Sequence, residues 1–542
     1  MAITRLAGVL LCVGLMSGGI ANGQTAAEAK ASAPAPLKKT CRVDNGPPNA
    51  AETALNRGDF KTAESLFNAM LAQNAEDKPT REELVRTLLA QDRVADAERT
   101  AEAWNTVSPA ETLAITALAD VRFRQGAPGE ALMLYRRAIQ ADLCNPRGYY
   151  GLSEVERLAG YFATGKRLIE QAHALHPTDD EIEAAWISTR ARKERLATWA
   201  DYAEHSTQIS DDNRTRLKTQ LEKASLYHAS DCRMAPGSPK EAAVPMQRIL
   251  DGPNRFVGWG LDVQFNGSQR RLQIDTGASG LTISRAAALF LGIQREDATE
   301  TGGIGDKAKV KTSVAHVASI KVGGIEFTNC PVEILEKWSV LDADGLIGGD
   351  VFSDSLLTLD FPKHELRVAP LPPRPGDKAA VEGGDAEAEA YDPYVAPGME
   401  KWLRVYRSGH DLLMPTVLVD TKKMKDQNAW KDKLFLMDTG SEDNLISPAA
   451  ARDVTKISRD DSRGIHGIQG EVDKVYEAGR FTLAFAGLRL DSPSMTSIDT
   501  TSISHGAGVE VSGIIGAAAL FQVVMHIDYR DNLVLCEYTP AK

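Results

Sequence analysis

Residues 272–280 read LQIDTGASG, and residues 433–441 read KLFLMDTGS. In each, an apolar strand-like run leads into Asp-Thr-Gly: Asp275-Thr276-Gly277 first, Asp438-Thr439-Gly440 second. One such triplet carries little information, but two, each behind a hydrophobic strand, need a common cause. Their surroundings repeat as well. Asp275 is followed by a helix-like run (Ser284 to Gly292), a glycine turn (Gly302, Gly303, Gly305), a strand pair ending near Gly323-Gly324, and Gly345-Leu346-Ile347-Gly348. Asp438 is followed by Ser447 to Val454, a glycine turn (Gly464, Gly467, Gly470), a strand ending near Gly487, and Gly513-Ile514-Ile515-Gly516. The same elements in the same order at nearly the same spacing mark an internal duplication. Both units close on strand, polar turn, strand: LLTLDFPKHELRV at 356–368 and VVMHIDYRDNLVL at 523–535.

The chemistry follows from the residue types. Two carboxylates held close cannot both ionise easily, so the pair shares a proton. The charged member acts as general base on a water, and the protonated one donates to a substrate carbonyl. The two titrate as a pair. Gly277 and Gly440 let the backbone turn tightly and approach closely.

These residues resemble the aspartic protease superfamily. Each unit is similar to one retropepsin-type lobe, and two in one chain resemble the bilobal, pepsin-like arrangement. The resemblance covers roughly residues 250–370 and 400–542. It implies that Asp275 and Asp438 are the catalytic pair and that Thr276 and Thr439 hydrogen-bond across to the opposite loop. It also implies that the glycine turns, with Gly303, Gly305, Gly467 and Gly470, are flap tips over a peptide or protein substrate. Pepsin-like flaps carry a tyrosine and neither turn here has one, which leaves the retropepsin comparison the stronger. Ala278 follows the first triplet and Ser441 the second. A hydroxyl at this place bonds the neighbouring carboxylate in pepsin-like enzymes. Ser441 is therefore expected to stabilise ionised Asp438 and leave Asp275 the more protonated, with Ser279 a substitute donor. His466 sits on the second tip.

The first half of the chain has a different rhythm. Gly58, Asp92, Gly126 and Gly160 stand 34 residues apart, and five residues after each comes Ala63, Ala97, Ala131 or Gly165. Small residues at that stride let paired helices touch, which resembles the tetratricopeptide repeat. Such a solenoid implies a protein partner; a spacer or a lid on the second half is the alternative.

The fold class expected is multidomain: an N-terminal α-solenoid, tetratricopeptide-like, then a mainly-β bilobal aspartic protease-like fold. The divisions are a signal peptide (1–23), a disordered lead-in (24–50), the repeats (51–204), a linker (205–250), lobe one (251–370), a flexible Pro/Gly/acid-rich linker (371–400) and lobe two (401–542). Arg5, the apolar run Leu6 to Met16 and the small residues before Gly23 give the leader its character, so export to a periplasm or the outside is expected. No later stretch is apolar enough to span a bilayer. A net charge of −12 argues against nucleic acid. Five cysteines remain after the leader is cut (Cys41, Cys144, Cys232, Cys330 and Cys536), with no spacing that selects a zinc site or chooses disulfide pairs. Metal and phosphate motifs are lacking, so no cofactor is expected; Ser279 and Ser441 lack a His/Asp pattern; and His316 and His526 read as structural. The function expected is an aspartic-type endopeptidase. Two alternatives stand beside it: a binding module that keeps the fold without catalysis, and lobes that pair between chains.

Overall fold

The structure is a computed structural model that describes residues 3–5, 41–206, 209, 211–226, 231–251, 254–294, 297–301, 310–336, 343–375, 391–460, 462, 464–467, 470–472 and 474–538. The 34-residue stride has a packing cause. Helices α1 (Ala50–Asn56), α2 (Phe60–Gln73), α3 (Lys78–Ala90), α4 (Val94–Val107), α5 (Thr112–Arg124), α6 (Pro128–Ala141), α7 (Pro146–Leu158), α8 (Phe162–Leu175), α9 (Asp180–Ser188) and α10 (Arg192–His205) follow one another through short turns. Ala63, Ala97 and Ala131 are fully buried where helices meet. A Cβ on Gly165 would lie 2.4 Å from Arg157 Cγ. Asn49, Asp59, Asp77, Asn145 and Asp179 cap their helices with side-chain oxygens.

The lead-in is not loose throughout. Cys41 is disulfide-bonded to Cys144, and the Asp44 N–H donates to the Leu175 carbonyl at 2.9 Å, so residues 41–49 strap across the solenoid. Of the expected leader, only residues 3–5 are described. The expected linker is also partly structured. Helix α11 (Asp211–Ser225) is followed by a segment that belongs to lobe one. There Cys232 is disulfide-bonded to Cys330, and Ala242–Pro245 pairs with Glu365–Pro370. Cys536 is free and buried.

Both lobes have the same plan. In lobe one the strand Ser268–Asp275 runs antiparallel to Arg255–Phe265 and parallel to Gly345–Gly348. In lobe two Lys431–Met437 runs antiparallel to Asp411–Val419 and parallel to Gly513–Ile515. Asn266 and Gly267 both have positive φ, the backbone a two-residue hairpin turn requires. The first glycine of each backing strand has no room for a side chain: a Cβ would lie 2.0 Å from the Thr282 carbonyl oxygen at Gly345 and 2.3 Å from that of Leu445 at Gly513. Ser284 and Ser447 cap the short helices that follow.

A six-stranded sheet joins the lobes, in the order Leu403–Arg404, Leu533–Tyr538, Val523–Asp528, Ser355–Asp360, Glu365–Pro370, Ala242–Pro245. Its central pairing, Leu356 opposite Asp528 to Asp360 opposite Val524, crosses from one lobe to the other. One apolar core runs through both, from Leu261 and Ile274 to Phe435 and Met525. The lobes therefore face each other within one chain, and pairing between chains is not the arrangement seen.

The solenoid lies along lobe two. Asp92 Oδ2 meets His505 Nε2 at 2.7 Å, and the Glu510 N–H donates to the Arg124 carbonyl at 3.0 Å. A Cβ on Gly126 would be 2.6 Å from the Glu510 carbonyl oxygen, and one on Gly160 would strike the Asn532 side chain. Three of the four turn residues at the 34-residue stride, Asp92, Gly126 and Gly160, thus form the docking edge. Leu158 and Ala159 share an apolar cluster with Tyr406, Leu413 and Val511. The interlobe segment is anchored there too. Residues 376–390 lie outside the described residues, but Asp392 accepts from the Thr164 N–H and hydroxyl at 2.9 and 2.7 Å, and Ala396 and Met399 are buried. A flexible tether is therefore not what 391–400 forms.

On the face shared by α3, α7 and α9, Arg86 and Arg147 each reach Glu181 at 2.9 Å and lie near Asp179. Burial pushes the adjacent Glu82 carboxyl up to about 8. Among the described residues no helix is long and apolar enough to cross a membrane.

Candidate active site

Each aspartate stands where its strand ends, and the opposite loop closes on it. Gly277 approaches Asp438 so nearly that a Cβ there would lie 2.8 Å from the carboxyl carbon; on Gly440 it would lie 2.4 Å from that of Asp275. Alanine in place of either glycine would drive into the opposite carboxylate. The threonines fix this approach. The Thr276 N–H donates to Thr439 Oγ1 and the Thr439 N–H to Thr276 Oγ1, both at 3.1 Å. The Thr276 hydroxyl donates to the Met437 carbonyl at 2.7 Å, and that of Thr439 to the Ile274 carbonyl at 2.9 Å.

The environments of the two carboxyls differ. Asp438 Oδ1 accepts from the N–H groups of Gly440 at 2.8 Å and Ser441 at 3.1 Å. Asp275 Oδ1 accepts from the Gly277 N–H at 2.9 Å. Burial, then the neighbouring Asp438, holds the Asp275 carboxyl well above the ordinary range. Burial also raises Asp438, opposed by the hydrogen bond from Asp275 and by the Gly440 and Ser441 N–H groups. The two buried carboxyls thus titrate as one proton-sharing pair, and the N–H groups of Gly440 and Ser441 favour the negative charge on Asp438.

The Ser441 hydroxyl does not make the bond expected of it. It donates to the Asp443 carbonyl at 3.0 Å, and only its backbone N–H serves Asp438. Ser279 is no substitute, because its hydroxyl donates to Asp350 Oδ2 at 3.1 Å. Asp350 Oδ1 also accepts from the Gly280 N–H at 2.8 Å, so this carboxylate holds the end of the first loop.

The flap candidates are described unevenly. Gly303 and Gly305 lie outside the described residues, between paired strands in which Thr301 faces Val310. Gly467 and Gly470 face each other in a small hairpin with His466 opposite Glu471. His316 Nε2 lies 3.5 Å from Asp231 Oδ2, and His526 Nδ1 lies 2.9 Å from Thr358 Oγ1.

Two contacts across the lobes escaped the sequence reading. Arg255, at the start of a lobe-one strand, grips Glu442 just after the second Asp-Thr-Gly loop, at 2.7 Å. His410, at the start of a lobe-two strand, reaches back to the Gly277 carbonyl with Nε2 at 3.2 Å and lies equally far from Asp411 Oδ1. Their only sequence signal is position: Arg255 opens, and His410 immediately precedes, the strand paired to the one that delivers an Asp-Thr-Gly.

Two segments of the chain match known families. Residues 261–361 match the family model described as aspartyl protease, and residues 54–120 the one described as tetratricopeptide repeat. No curated protein matches the chain. Among solved structures, a thermophilic tetratricopeptide-repeat protein of Thermus thermophilus aligns at 22% identity and a TM-score of 0.25, over 31% of this chain and 92% of that one. An aspartic proteinase from Irpex lacteus aligns at 10% identity and a TM-score of 0.33, over 55% and 97%. The chain thus joins tetratricopeptide repeats to an aspartic protease-like domain.

Proposed function

We propose that this protein is an exported aspartic endopeptidase that hydrolyses peptide bonds with Asp275 and Asp438. The single observation that carries the reading is the pair of facing Asp-Thr-Gly loops, each glycine pressed against the other loop's carboxyl and the two threonines bonded to each other. Asp438, ionised, takes a proton from a water as that water attacks the peptide carbonyl. Asp275 donates its proton to the carbonyl oxygen, giving a neutral tetrahedral diol. Asp438 then passes its proton to the leaving nitrogen while a diol hydroxyl gives its proton to Asp275; the C–N bond breaks, releasing carboxylic acid and amine and leaving the pair with one proton as at the start. The scheme calls on neither a metal nor a covalent intermediate.

Export is proposed from the leader-like residues 1–23, and two disulfides suit an oxidising compartment. The repeat class suggests a protein partner. The Arg86–Glu181 and Arg147–Glu181 ion pairs occupy one face of the solenoid and its turn edge is held by lobe two, so the exposed faces of α2, α4 and α6 are the proposed partner surface. The direct test is pepstatin-sensitive cleavage of a mixed peptide library scanned between about pH 3.5 and 7.5, with activity expected toward the acid side, where one carboxyl of such a pair is charged. Cleavage that pepstatin stops supports the reading. No cleavage at any pH would favour a binding module.

A further inference from the structure

The two lobes clamp each other's catalytic loops with different chemistry. Lobe one uses Arg255 on Glu442, an ion pair at the surface with side chains 62% and 44% exposed. Lobe two uses His410 on the Gly277 carbonyl, with the His410 side chain 30% exposed. Gly277 is the residue pressed against Asp438, so the imidazole is one peptide away from the charged member of the pair. A carbonyl oxygen only accepts, so Nε2 carries a hydrogen, and Nδ1 is where the second proton goes. In place of a permanent surface cation, lobe two has set a titratable one at the catalytic loop.

We propose that His410 is a positioning residue that places a titratable positive charge beside Asp438 and so sets the acid limit of activity. The proposal rests on the proteolytic reading above. The charged groups that act on this imidazole are Asp411, 3.2 Å from Nε2, and Asp438 on the second loop, with Asp350 acting in turn on Asp411. His410 also supports ionised Asp438. The imidazolium thus keeps the singly charged pair populated at pH values where it would otherwise hold two protons. Asp411 sits at the same nitrogen and would be left beside Asp438 as a like charge if the imidazole were absent.

The test compares wild type with His410→Gln and His410→Lys, following kcat/KM against pH on one peptide. Glutamine keeps a donor for the Gly277 carbonyl and removes the charge; lysine keeps the charge. With glutamine the acidic limb moves up by about one pH unit, giving about tenfold less activity below the limb, while the plateau is nearly unchanged. With lysine the limb stays at the wild-type position. A glutamine variant whose acidic limb overlays the wild type would overturn the proposal, as would a lysine variant shifted as far as the glutamine one. If the wild type cuts nothing, the proteolytic reading fails, and carboxyl ¹³C titration of labelled aspartate, assigned with Asp438→Asn, decides about His410. A lower apparent pKa of the pair that rises in His410→Gln supports the role, and an unmoved one refutes it.

Discussion

Thr276 and Thr439 hold each other by a reciprocal pair of hydrogen bonds, each N–H to the other's hydroxyl at 3.1 Å. Both residues are buried, and each hydroxyl donates a hydrogen bond to a carbonyl of the opposite lobe, at Met437 and Ile274. The spacing of the carboxyls is therefore a property of both halves together. Thr439→Ala leaves the Thr276 N–H and the Ile274 carbonyl without partners, at about 1–3 kcal/mol each. Urea unfolding should show that loss, and Thr439→Ser should recover most of it. An alanine variant as stable as wild type would mean that the lobes are held in register elsewhere.

Gly440→Ala tests the closeness of the approach. The added carbon would sit 2.4 Å from the Asp275 carboxyl carbon, so the carboxyl must move. Activity should fall by two orders of magnitude or more while circular dichroism stays native, since near-attack geometry tolerates shifts of only about 1 Å. Retained activity would mean that the carboxyls are farther apart in the working enzyme.

The pH dependence of stability has a definite sign. The Asp275 carboxyl is held above its ordinary value by burial and by Asp438. The folded state therefore keeps a proton that the unfolded state releases first. This group contributes stability that is full below the unfolded value of about 3.9 and is lost as pH rises through the folded one. Asp275→Asn should raise the melting temperature at pH 7 and change it little near pH 3, as scanning calorimetry at both values would reveal. A variant less stable than wild type at pH 7 would contradict the buried, proton-sharing pair.

Ser441→Ala should leave the acidic limb of kcat/KM where it is. The backbone N–H that serves Asp438 survives the change, and the hydroxyl that is lost served Asp443. A shifted limb would restore the hydroxyl to the role the sequence suggested for it.

Gly126→Ala probes the docked solenoid. Gly126 has φ of +73°, and a Cβ would press on the Glu510 carbonyl oxygen. Strain and clash together should cost about 1–3 kcal/mol and split the calorimetric transition as the solenoid comes free. An unchanged single transition would mean that the edge contact contributes little.

Much of this was legible because geometry forces residue type. The glycines at 277, 440, 345 and 513 are each required by backbone or carboxyl within 3 Å of where a side chain would begin, so the duplicated motif survives in the letters. The stride of Ala63, Ala97 and Ala131 was visible for the same reason. What stayed hidden depends on residues distant in sequence. Nothing local marks His410 as the partner of Gly277, or Asp350 as the acceptor for Gly280. The choice of Cys144 for Cys41 was likewise set by the fold. Asp92, Gly126 and Gly160 announced turns, and that those turns also carry the docking edge follows only from lobe two lying against them.

The central claim is one shared site, tested most directly by peptide cleavage with wild type, Asp275→Asn and Asp438→Asn side by side. One site built from both lobes predicts an active wild type and two inactive single variants, each still folded. A single variant that keeps substantial activity would contradict it, because a carboxyl that works alone is not half of a pair.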